Sequence, residues 1–273
     1  MVHGIVKSKN TETASFSGGC NSGMNALKYA YLAVLSGDKD NAICTGSEKL
    51  STWMLAKNFQ KEAECLGEME KNPMIAFEKD FLRWMLSDGA GAFLLENKPN
   101  ESGLSLKIEW VDIFSYANEL ETCMYAGAIK NKSGNIKGWP DLETHTWVDG
   151  SVFSLKQDIK ILDNNVILSC RRLKEVLQRR NLNDSEIDYF LPHLSSMFFK
   201  NKIDEELIKN DIHIPEEKWC MNLTKVGNIG AASIYLMLEE LFYSGKLKQG
   251  DKIVLSVPES ARFSFAYCLL TVC

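Results

Sequence analysis

The chain has 273 residues, 45% of them hydrophobic and 25% charged, which is the composition of a folded globular protein with a sizeable core. Its formal net charge of −5 argues against a general nucleic-acid binder, because neutralising phosphates requires a basic surface. Since no apolar run approaches the roughly 18 residues of a membrane span and the first residues do not resemble a signal peptide, we expect no membrane span and a cytoplasmic location.

The eight cysteines stand singly along the sequence, without a Cys-x-x-Cys pair, and His-Glu-x-x-His does not occur. In a chain with no export signal this pattern predicts reduced thiols and no metal site. Most of the cysteines lie in apolar contexts, where a cysteine is usually a small core residue. Cys20 is different, because glycines precede it and a helical pattern follows it.

The first predicted unit surrounds Cys20. Residues 14–17 read as a short strand, Gly18-Gly19 as a tight turn, and the apolar spacing from Ser22 to Leu35 as a helix that Ser36-Gly37 ends. Cys20 would then lie at a helix N-terminus, where unpaired N–H groups and the helix dipole favour a thiolate. The alternative is that Cys20 is only a small residue in a tight turn.

The elements after this helix are predicted from apolar runs and from turn residues. A strand over 42–46 precedes an inserted, partly helical excursion at about 48–86, and two further strands cover 88–95 and 104–111. Weak periodicity makes the next stretch a loop-rich connection. The remainder is predicted as a helix over 152–180, a strand over 187–191, helices over 195–209 and 231–243, and strands over 252–257 and 263–272.

An internal comparison links the two ends of the chain. A shift of 208 residues places Gly19 on Gly227, Cys20 on Asn228 and Ser36-Gly37 on Ser244-Gly245, which is weak evidence for a duplication. Cys20 and Asn228 then occupy equivalent helix starts. His193 follows a strand end, where open α/β sheets build their sites, although His193 and Asn228 taken singly are equally compatible with structural roles.

Together these motifs resemble a known family. Gly19-Cys20 before a helix, residues 88–91 at a turn, Leu191-Pro192-His193 after a strand, and 227–233 opening a helix occur in that order. They resemble the β-ketoacyl-acyl-carrier-protein synthase III family of the thiolase fold, over about residues 15–272. The resemblance implies an α/β protein with a thiolase-like αβαβα layered fold built from two similar halves.

The resemblance also implies a Claisen condensation of two acyl thioesters. Cys20 would carry the acyl group, and His193 and Asn228 would hydrogen-bond the developing enolate without protonating its carbon. The backbone N–H groups of Cys20 and Ala261 would form the oxyanion hole. Coenzyme A and acyl-carrier-protein thioesters would be the substrates, acyl carrier protein and a second copy of the chain the partners, and no bound cofactor or metal would be needed.

The chain departs from the family pattern at several positions. Residues 258–263 lack the family's consecutive glycines, Leu194-Ser195-Ser196 replaces the usual residues after His193, and the 48–86 excursion is long. The excursion and the Pro258-Glu259-Ser260 turn together resemble the ketosynthase III-like subgroup that joins two acyl chains in making dialkylresorcinol and related aryl lipids. Only nineteen residues precede Cys20, fewer than the family has, so the N-terminal part of the first half looks missing and we expect impaired folding or assembly of this chain.

The expected division is 1–112 for the first half with its excursion, 113–151 for the loop-rich connection, and 152–273 for the second half. Other functions stay open: a thiolase-fold acyltransferase that forms an ester or amide, or a catalytically silent subunit of a heterodimeric synthase. Nucleotide binding at 88–91 is disfavoured, since no Gly-Lys-Ser/Thr follows. The remaining expectations are surface positions for His3, His145 and His213, and a solvated face for Arg171, Arg172, Arg179 and Arg180.

Overall fold

A computed structural model describes residues 2–55, 85–143 and 151–273. The helices are α1 (Val2–Val6), α2 (Asn21–Leu35), α3 (Asp163–Arg179), α4 (Phe199–Lys209), α5 (Leu223–Val226) and α6 (Ser233–Phe242). The longer strands are β1 (Asn41–Glu48), β2 (Gly89–Glu96), β3 (Leu106–Ser115), β8 (Tyr189–Pro192), β9 (Lys252–Glu259) and β10 (Ser264–Val272). The short strands are β4 (Met124–Tyr125), β5 (Ala128–Lys130), β6 (Ile136–Gly138) and β7 (Lys156–Gln157).

The largest sheet has the strand order β3-β10-β9-β8. β10 runs antiparallel to both of its neighbours, and β8 runs parallel to β9. β1 and β2 form a separate antiparallel pair, with Asn41 opposite Glu96 at one end and Glu48 opposite Gly89 at the other. Because β8 and β9 are parallel, their C-terminal ends lie at the same edge of the sheet, and the candidate residues follow those ends.

The large sheet is covered on both faces. Successive residues of a strand point to opposite faces, so Phe265 and Tyr267 of β10 pack with α3 and α4, whereas Ala266 and Cys268 pack with α2 and α6. Burial on both faces explains why the last two strands read as continuous apolar runs rather than alternating ones. It also places α2 and α6 inside the protein, between two sheets.

The β1–β2 pair forms the other wall of this inner helix layer. Cys44 and Leu95 belong to the same buried cluster as α2 and α6, and the ring of Phe93 stacks on Tyr235 with centroids 4.3 Å apart. The described residues thus form successive layers of β1–β2, then α2 with α6, then the large sheet, then α3 with α4. These are four of the five αβαβα layers that the resemblance implies. On the far side of β1–β2, Ile43 and Leu94 are 53% and 63% exposed.

The first turn of α2 lies against the chain that precedes α6. A Cβ atom added to Gly23 would lie 2.2 Å from the carbonyl oxygen of Ala231, and one added to Gly46 would lie 2.4 Å from the same oxygen. Tyr235 donates a hydrogen bond from its hydroxyl to the Gly23 carbonyl at 2.8 Å. Glycine is therefore required at position 23 so that the two backbones can approach.

The repeat expected from the sequence is visible at the two helix ends. Gly37 and Gly245 have φ values of +76° and +72°, the left-handed conformation that glycine adopts readily after a helix. The hydroxyls of Ser36 and Ser244 each donate to a carbonyl three residues earlier. The helix starts differ, because a 3₁₀ turn (Gly230–Ala232) precedes α6 whereas α2 starts directly after Cys20.

The solvated face predicted for the four arginines holds for Arg171, Arg179 and Arg180, which are exposed, but not for Arg172, which is half-buried. Three of the four also bind residues of the large sheet or next to it. Arg180 donates two hydrogen bonds to the Asp112 carboxylate, at 2.9 and 2.8 Å, and Arg179 approaches the same carboxylate to 2.6 Å. Arg172 donates to the Tyr116 hydroxyl at 2.6 Å. These contacts join the outer helix α3 to β3 and the residue that follows it, at the edge of the large sheet.

Several predicted boundaries also change. Residues 14–17 are exposed and form no strand, since they pair with none of the described strands. The helix predicted over 152–180 begins only at Asp163, since Lys156–Gln157 pairs with β4. The connection contains β4, β5 and β6 as well as loops. His3 and His213 are exposed as predicted, whereas His145 and residues 56–84 of the excursion lie outside the described residues.

We expect Gly23→Ala to reduce the free energy of unfolding by about 2–3 kcal/mol, because the new methyl group overpacks a backbone contact. Chemical denaturation measures the change. Gly4→Ala is the matched control, since a Cβ at Gly4 meets nothing within 4 Å. Equal stabilities of the two variants would contradict the close approach of α2 to Ala231.

We expect Asp112→Asn to lower the free energy of unfolding by about 2 kcal/mol, because two arginines lose a partly buried charged partner. The matched control is Asp38→Asn, whose side chain is 64% exposed beside Lys39 and should matter by less than about 0.5 kcal/mol. The comparison uses urea denaturation at low and high salt. A loss no larger than that of the control would show that the arginine contacts do not hold β3.

Candidate active site

Cys20 lies where the sequence placed it, immediately before α2, which begins at Asn21. Its φ and ψ of −57° and −31° are helical, and its side chain makes no capping hydrogen bond. Its own N–H donates no hydrogen bond to any described residue. The position therefore offers a sulfur and a backbone donor side by side, as the oxyanion hole predicted for Cys20 requires.

Glu259, the last residue of β9, is a charged group that contacts this turn. Its Oε2 accepts a hydrogen bond from the Asn21 N–H at 2.9 Å, and a Cβ on Gly19 would lie 3.0 Å from the same oxygen. The residue is 6% exposed. Burial raises the pKa of Glu259, while hydrogen bonds from Asn21, Gly19 and Ser264 and the charge of Arg262 act in the opposite direction.

The thiolate character expected for Cys20 is not supported. Burial raises the pKa of the Cys20 thiol, and the carboxylates of Glu259 and Glu48 raise it further. The main physical reason is that burial removes water from the sulfur and so disfavours its charged form. In addition, a carboxylate already accepts an N–H at the start of α2, where the helix N-terminus would otherwise favour a sulfur anion. Cys20 is therefore a neutral thiol at rest.

Asn228 lies in a turn that is held on two sides. Its backbone N–H and C=O bond to Met85 and Ser87, and its Oδ1 accepts a hydrogen bond from the Gly230 N–H at 2.9 Å. Glu48 Oε1 accepts from the Ala231 N–H at 3.1 Å, just beyond this turn. The Asn228 Nδ2 donates to no residue that the structure describes, so it is available to hydrogen-bond a substrate oxygen.

His193 follows β8 directly and is 3% exposed. Its backbone N–H donates to the Ser256 carbonyl of β9 at 2.8 Å. This hydrogen bond fixes the position of His193 relative to the end of β9. Its Nε2 is buried without a hydrogen-bond partner in the described part of the chain. Burial lowers the pKa of His193 to about 4, so at neutral pH the ring is uncharged.

Two small cavities flank His193. The first lies between β8, β9 and the outer helices, and Cys170, Phe190 and Ile203 are among the side chains that line it. The second is lined by His193 together with Gly227 and Ser233, which flank Asn228 on both sides. The structure thus brings His193 and the Asn228 turn to one cavity. Cys20 is not among the residues that line either cavity. The charge of Glu48, which bonds to the chain just beyond the Asn228 turn, acts on the Cys20 thiol.

Ala261 lies in the four-residue turn between β9 and β10. Its carbonyl oxygen accepts a hydrogen bond from the Cys123 N–H at 3.2 Å, and the neighbouring Ser260 hydroxyl accepts one from Gln157 Nε2 at 3.2 Å. The Ala261 N–H donates to no other described residue. The connection between the two halves therefore supports the predicted oxyanion turn while leaving its N–H available.

Sequence analysis did not identify Glu259 or Glu48 as site residues. Glu259 was noted only because it falls in the turn where the family has glycines. Glu48 ends β1 next to the predicted excursion, a context typical of a solvated carboxylate. No sequence signal distinguishes a buried glutamate at a strand end from an exposed one. Within the described ranges, no group of three or more His, Cys, Asp or Glu side chains is placed to hold a metal ion.

The chain is similar to β-ketoacyl-acyl-carrier-protein synthases both in family models and in whole-sequence comparison. The model of the β-ketoacyl synthase N-terminal domain matches residues 12–100, and that of the 3-oxoacyl-[acyl-carrier-protein] synthase III C-terminal part matches residues 177–260. The β-ketoacyl-[acyl-carrier-protein] synthase III of Clostridium perfringens strain ATCC 13124 is 25% identical over 255 residues, 93% of this chain and 67% of that protein. The Aquifex aeolicus protein is 24% identical over 94% of this chain and 66% of its own.

Solved structures share the fold. The β-ketoacyl-[acyl-carrier-protein] synthase III of Thermus thermophilus superposes with a TM-score of 0.70 at 18% identity, over 99% of this chain and 70% of that one. OleA of Xanthomonas campestris gives 0.72 at 16% identity, over 99% and 69%. The chain spans about two thirds of the length of these relatives. None of the helices described above combines the length and the apolar character that a membrane crossing needs.

The pKa of His193 predicts a pH-dependent stability. Because the pKa of about 4 in the folded protein lies below the ordinary value of 6.5, the unfolded chain takes up a proton first as the pH falls. The contribution of the neutral His193 ring to the free energy of unfolding is fully present above pH 6.5. It decreases as the pH falls from 6.5 to about 4, and the total loss is about 3 kcal/mol. Wild type should thus lose more stability over this range than His193→Gln.

Urea denaturation at pH 7 and pH 4 of both proteins measures this difference. His213→Gln is the matched control, because His213 is exposed and its replacement should leave the pH dependence of wild type. Identical losses in wild type and His193→Gln would mean that the His193 ring is not held neutral by burial.

Proposed function

We propose a mechanism from the premise that this chain belongs to the β-ketoacyl-acyl-carrier-protein synthase III family and adopts its thiolase fold. The matched family models, the relatives and the shared fold confirm the predicted family, fold class and condensing-enzyme activity. The roles of individual residues are our proposal. The observation that carries it is the close contact between Gly23, in the first turn of α2, and Ala231, just before α6, because Cys20 and Asn228 each lie three residues earlier in these two segments.

In the first half-reaction the Cys20 sulfur attacks the carbonyl carbon of an acyl thioester. The thiol loses its proton, the new carbon–sulfur bond forms, and the bond to the leaving thiol breaks, so that the leaving thiolate takes up a proton. The N–H groups of Cys20 and Ala261 stabilise the oxyanion of the tetrahedral intermediate. Two observations support this role. Neither N–H donates to another described residue, and hydrogen bonds from other residues hold the turn around each of them.

In the second half-reaction an enolate of a second thioester attacks the acyl group on Cys20. His193 and Asn228 donate hydrogen bonds to the enolate oxygen. A neutral imidazole suits this role, because a buried imidazolium would protonate and quench the carbanion. The low pKa of His193 and the free Nδ2 of Asn228 both support the assignment.

Substrates and partners follow from the same premise. We propose coenzyme A or acyl-carrier-protein thioesters as substrates, acyl carrier protein as partner, a homodimer as the assembly, and a cytoplasmic location. The division into 1–112, 113–151 and 152–273 also stays a proposal, and the two matched family segments fall within its first and last parts. Formation of aryl lipids or polyketides rests on the Pro258-Glu259-Ser260 turn and is the finer proposal.

Two alternatives keep the fold without the condensation. An acyltransferase that forms an ester or amide needs the acyl-cysteine but no enolate donors, so the uncommitted Asn228 Nδ2 and the unpartnered His193 Nε2 favour condensation. A catalytically silent subunit needs neither an acyl-cysteine nor enolate donors. The presence of Cys20, His193 and Asn228 together therefore weighs against this alternative.

The nucleophile assignment is tested by acylation. Incubation with octanoyl-coenzyme A should add one octanoyl group to wild type and none to Cys20→Ala, because the Cys20 sulfur lies beside a backbone N–H that has no other described partner. Intact-mass spectrometry measures the adduct. Cys273→Ala, which removes an exposed thiol, is the matched control and should be acylated once. If wild type and Cys20→Ala are acylated equally, or if neither protein is acylated, Cys20 is not the nucleophile.

A further inference from the structure

The connection between the two halves contains a buried lysine that the condensation described above does not use. Lys130, the last residue of β5, has a side chain that is only 7% exposed. Its Nζ lies 2.9 Å from Asp158 Oδ2 and 2.9 Å from Glu121 Oε2, and it donates a hydrogen bond to the Thr122 carbonyl at 3.1 Å. An ammonium group has three donors, so all the donors of Lys130 are used.

Lys130 keeps its charge in this buried position. Burial lowers the pKa of Lys130, but the carboxylates of Asp158 and Glu121 outweigh this effect and hold the pKa above its ordinary value. An apolar side chain could fill the same space without the cost of burying charges. It could not bind two carboxylates and a backbone carbonyl at once. The contribution of Lys130 is therefore to fix the positions of its partners.

One of these partners belongs to the peptide group that bonds to Ala261. The C=O of Thr122 and the N–H of Cys123 lie in one peptide plane, and this N–H donates to the Ala261 carbonyl at 3.2 Å. Lys130 thus holds one side of the peptide while the β9–β10 turn holds the other. Because a hydrogen bond to its carbonyl polarises an amide, the bond from Lys130 also strengthens the donation from Cys123 to Ala261.

Asp158, an ion-pair partner of that lysine, extends the same network. Its N–H donates to the Cys123 carbonyl at 2.7 Å, and the Cys123 Sγ donates to the Asp158 carbonyl at 3.2 Å. The preceding residue, Gln157, donates from Nε2 to the Ser260 hydroxyl at 3.2 Å. The network therefore binds both Ser260 and Ala261, the two residues whose shared peptide group carries the Ala261 N–H.

The conformation of this turn depends on contacts from outside it. Residues 258–263 contain no glycine, and Phe263 has a φ of +45°, a region that a bulky residue adopts only where its surroundings enforce it. Phe263 is fully buried, and its carbonyl accepts a hydrogen bond from the Tyr116 N–H at 3.0 Å. Loss of an outside contact should therefore change the direction of the turn's N–H groups.

We propose that Lys130 is a positioning residue for the oxyanion hole: it fixes the Thr122–Cys123 peptide and, through it, the orientation of the Ala261 N–H. The inference rests on the proposed function, in which Cys20 is acylated and the Ala261 N–H stabilises the oxyanion. It adds a residue that acts on the reaction through that N–H rather than by contact with the substrate.

The test compares two reactions of Cys20 that differ in their need for an oxyanion hole. Acylation by octanoyl-coenzyme A passes through a tetrahedral oxyanion, whereas alkylation by iodoacetamide displaces iodide from a saturated carbon and forms no oxyanion. Mass spectrometry of the Cys20 peptide measures both rates in wild type, Lys130→Met, Lys130→Arg and Lys132→Met. The last variant is the matched control, because Lys132 is an exposed lysine of the loop between β5 and β6.

We expect Lys130→Met to be acylated about 10- to 100-fold more slowly than wild type at saturating octanoyl-coenzyme A, because a displaced oxyanion donor loses its effect on the intermediate. The concentration that half-saturates acylation and the alkylation rate should stay those of wild type. Lys130→Arg keeps a charged donor and should recover part of the acylation rate. Lys132→Met should match wild type in both reactions.

The inference is overturned if Lys130→Met is acylated at the wild-type rate, or if acylation and alkylation slow by the same factor, which is the result of a purely structural role. If Lys130→Met does not fold, as judged by thermal melting, Lys130→Gln decides, since it keeps a donor without the charge. A lower ratio of acylation to alkylation than in wild type then supports the proposal, and an equal ratio overturns it.

Failure of the proposed function gives a different result. If iodoacetamide labels Cys20 in wild type but octanoyl-coenzyme A does not acylate it, the assignment of Cys20 as the nucleophile fails, and the role of Lys130 fails with it. If wild type is acylated at Cys20 and Lys130→Met is acylated equally fast, only the role of Lys130 fails.

Discussion

The contact between the first turn of α2 and the chain just before α6 determines the geometry of the site. Gly23 brings its backbone against the Ala231 carbonyl, and Tyr235 bonds back to the Gly23 carbonyl. Cys20 lies three residues before Gly23 and Asn228 three residues before Ala231, so this contact constrains both segments. A side chain at position 23 would push the two helices apart and shift the proposed nucleophile relative to the proposed enolate donor.

The electrostatic character of the site differs from that of a simple activated cysteine. Carboxylates rather than cations surround the thiol, and the histidine is held uncharged by burial. Both features suit a reaction whose intermediate is a carbanion, since neither a strong acid nor a preformed thiolate stands beside it. Such a site works by positioning neutral donors where charge develops, which is how most of the stabilisation in oxyanion chemistry arises.

Much of this arrangement could be predicted from the sequence. The glycine turn at Cys20, the strand end at His193 and the Ser-Gly helix stops are local signals, because backbone conformation at those positions depends on the residues themselves. The strand wrongly predicted over 14–17 and the late start of α3 depend on pairing partners elsewhere in the chain. Glu259 and the arginines of α3 depend on burial and on distant contacts, which no local pattern encodes.

The position of β10 has a consequence for how the protein folds. β10 pairs with β9 on one side and with β3 on the other, although β3 precedes it by about 150 residues. The edge strand can therefore join the sheet only after the last strand has left the ribosome. Such long-range pairing predicts slow folding, and until it occurs the apolar faces of β3 are available to chaperones and to other nascent chains.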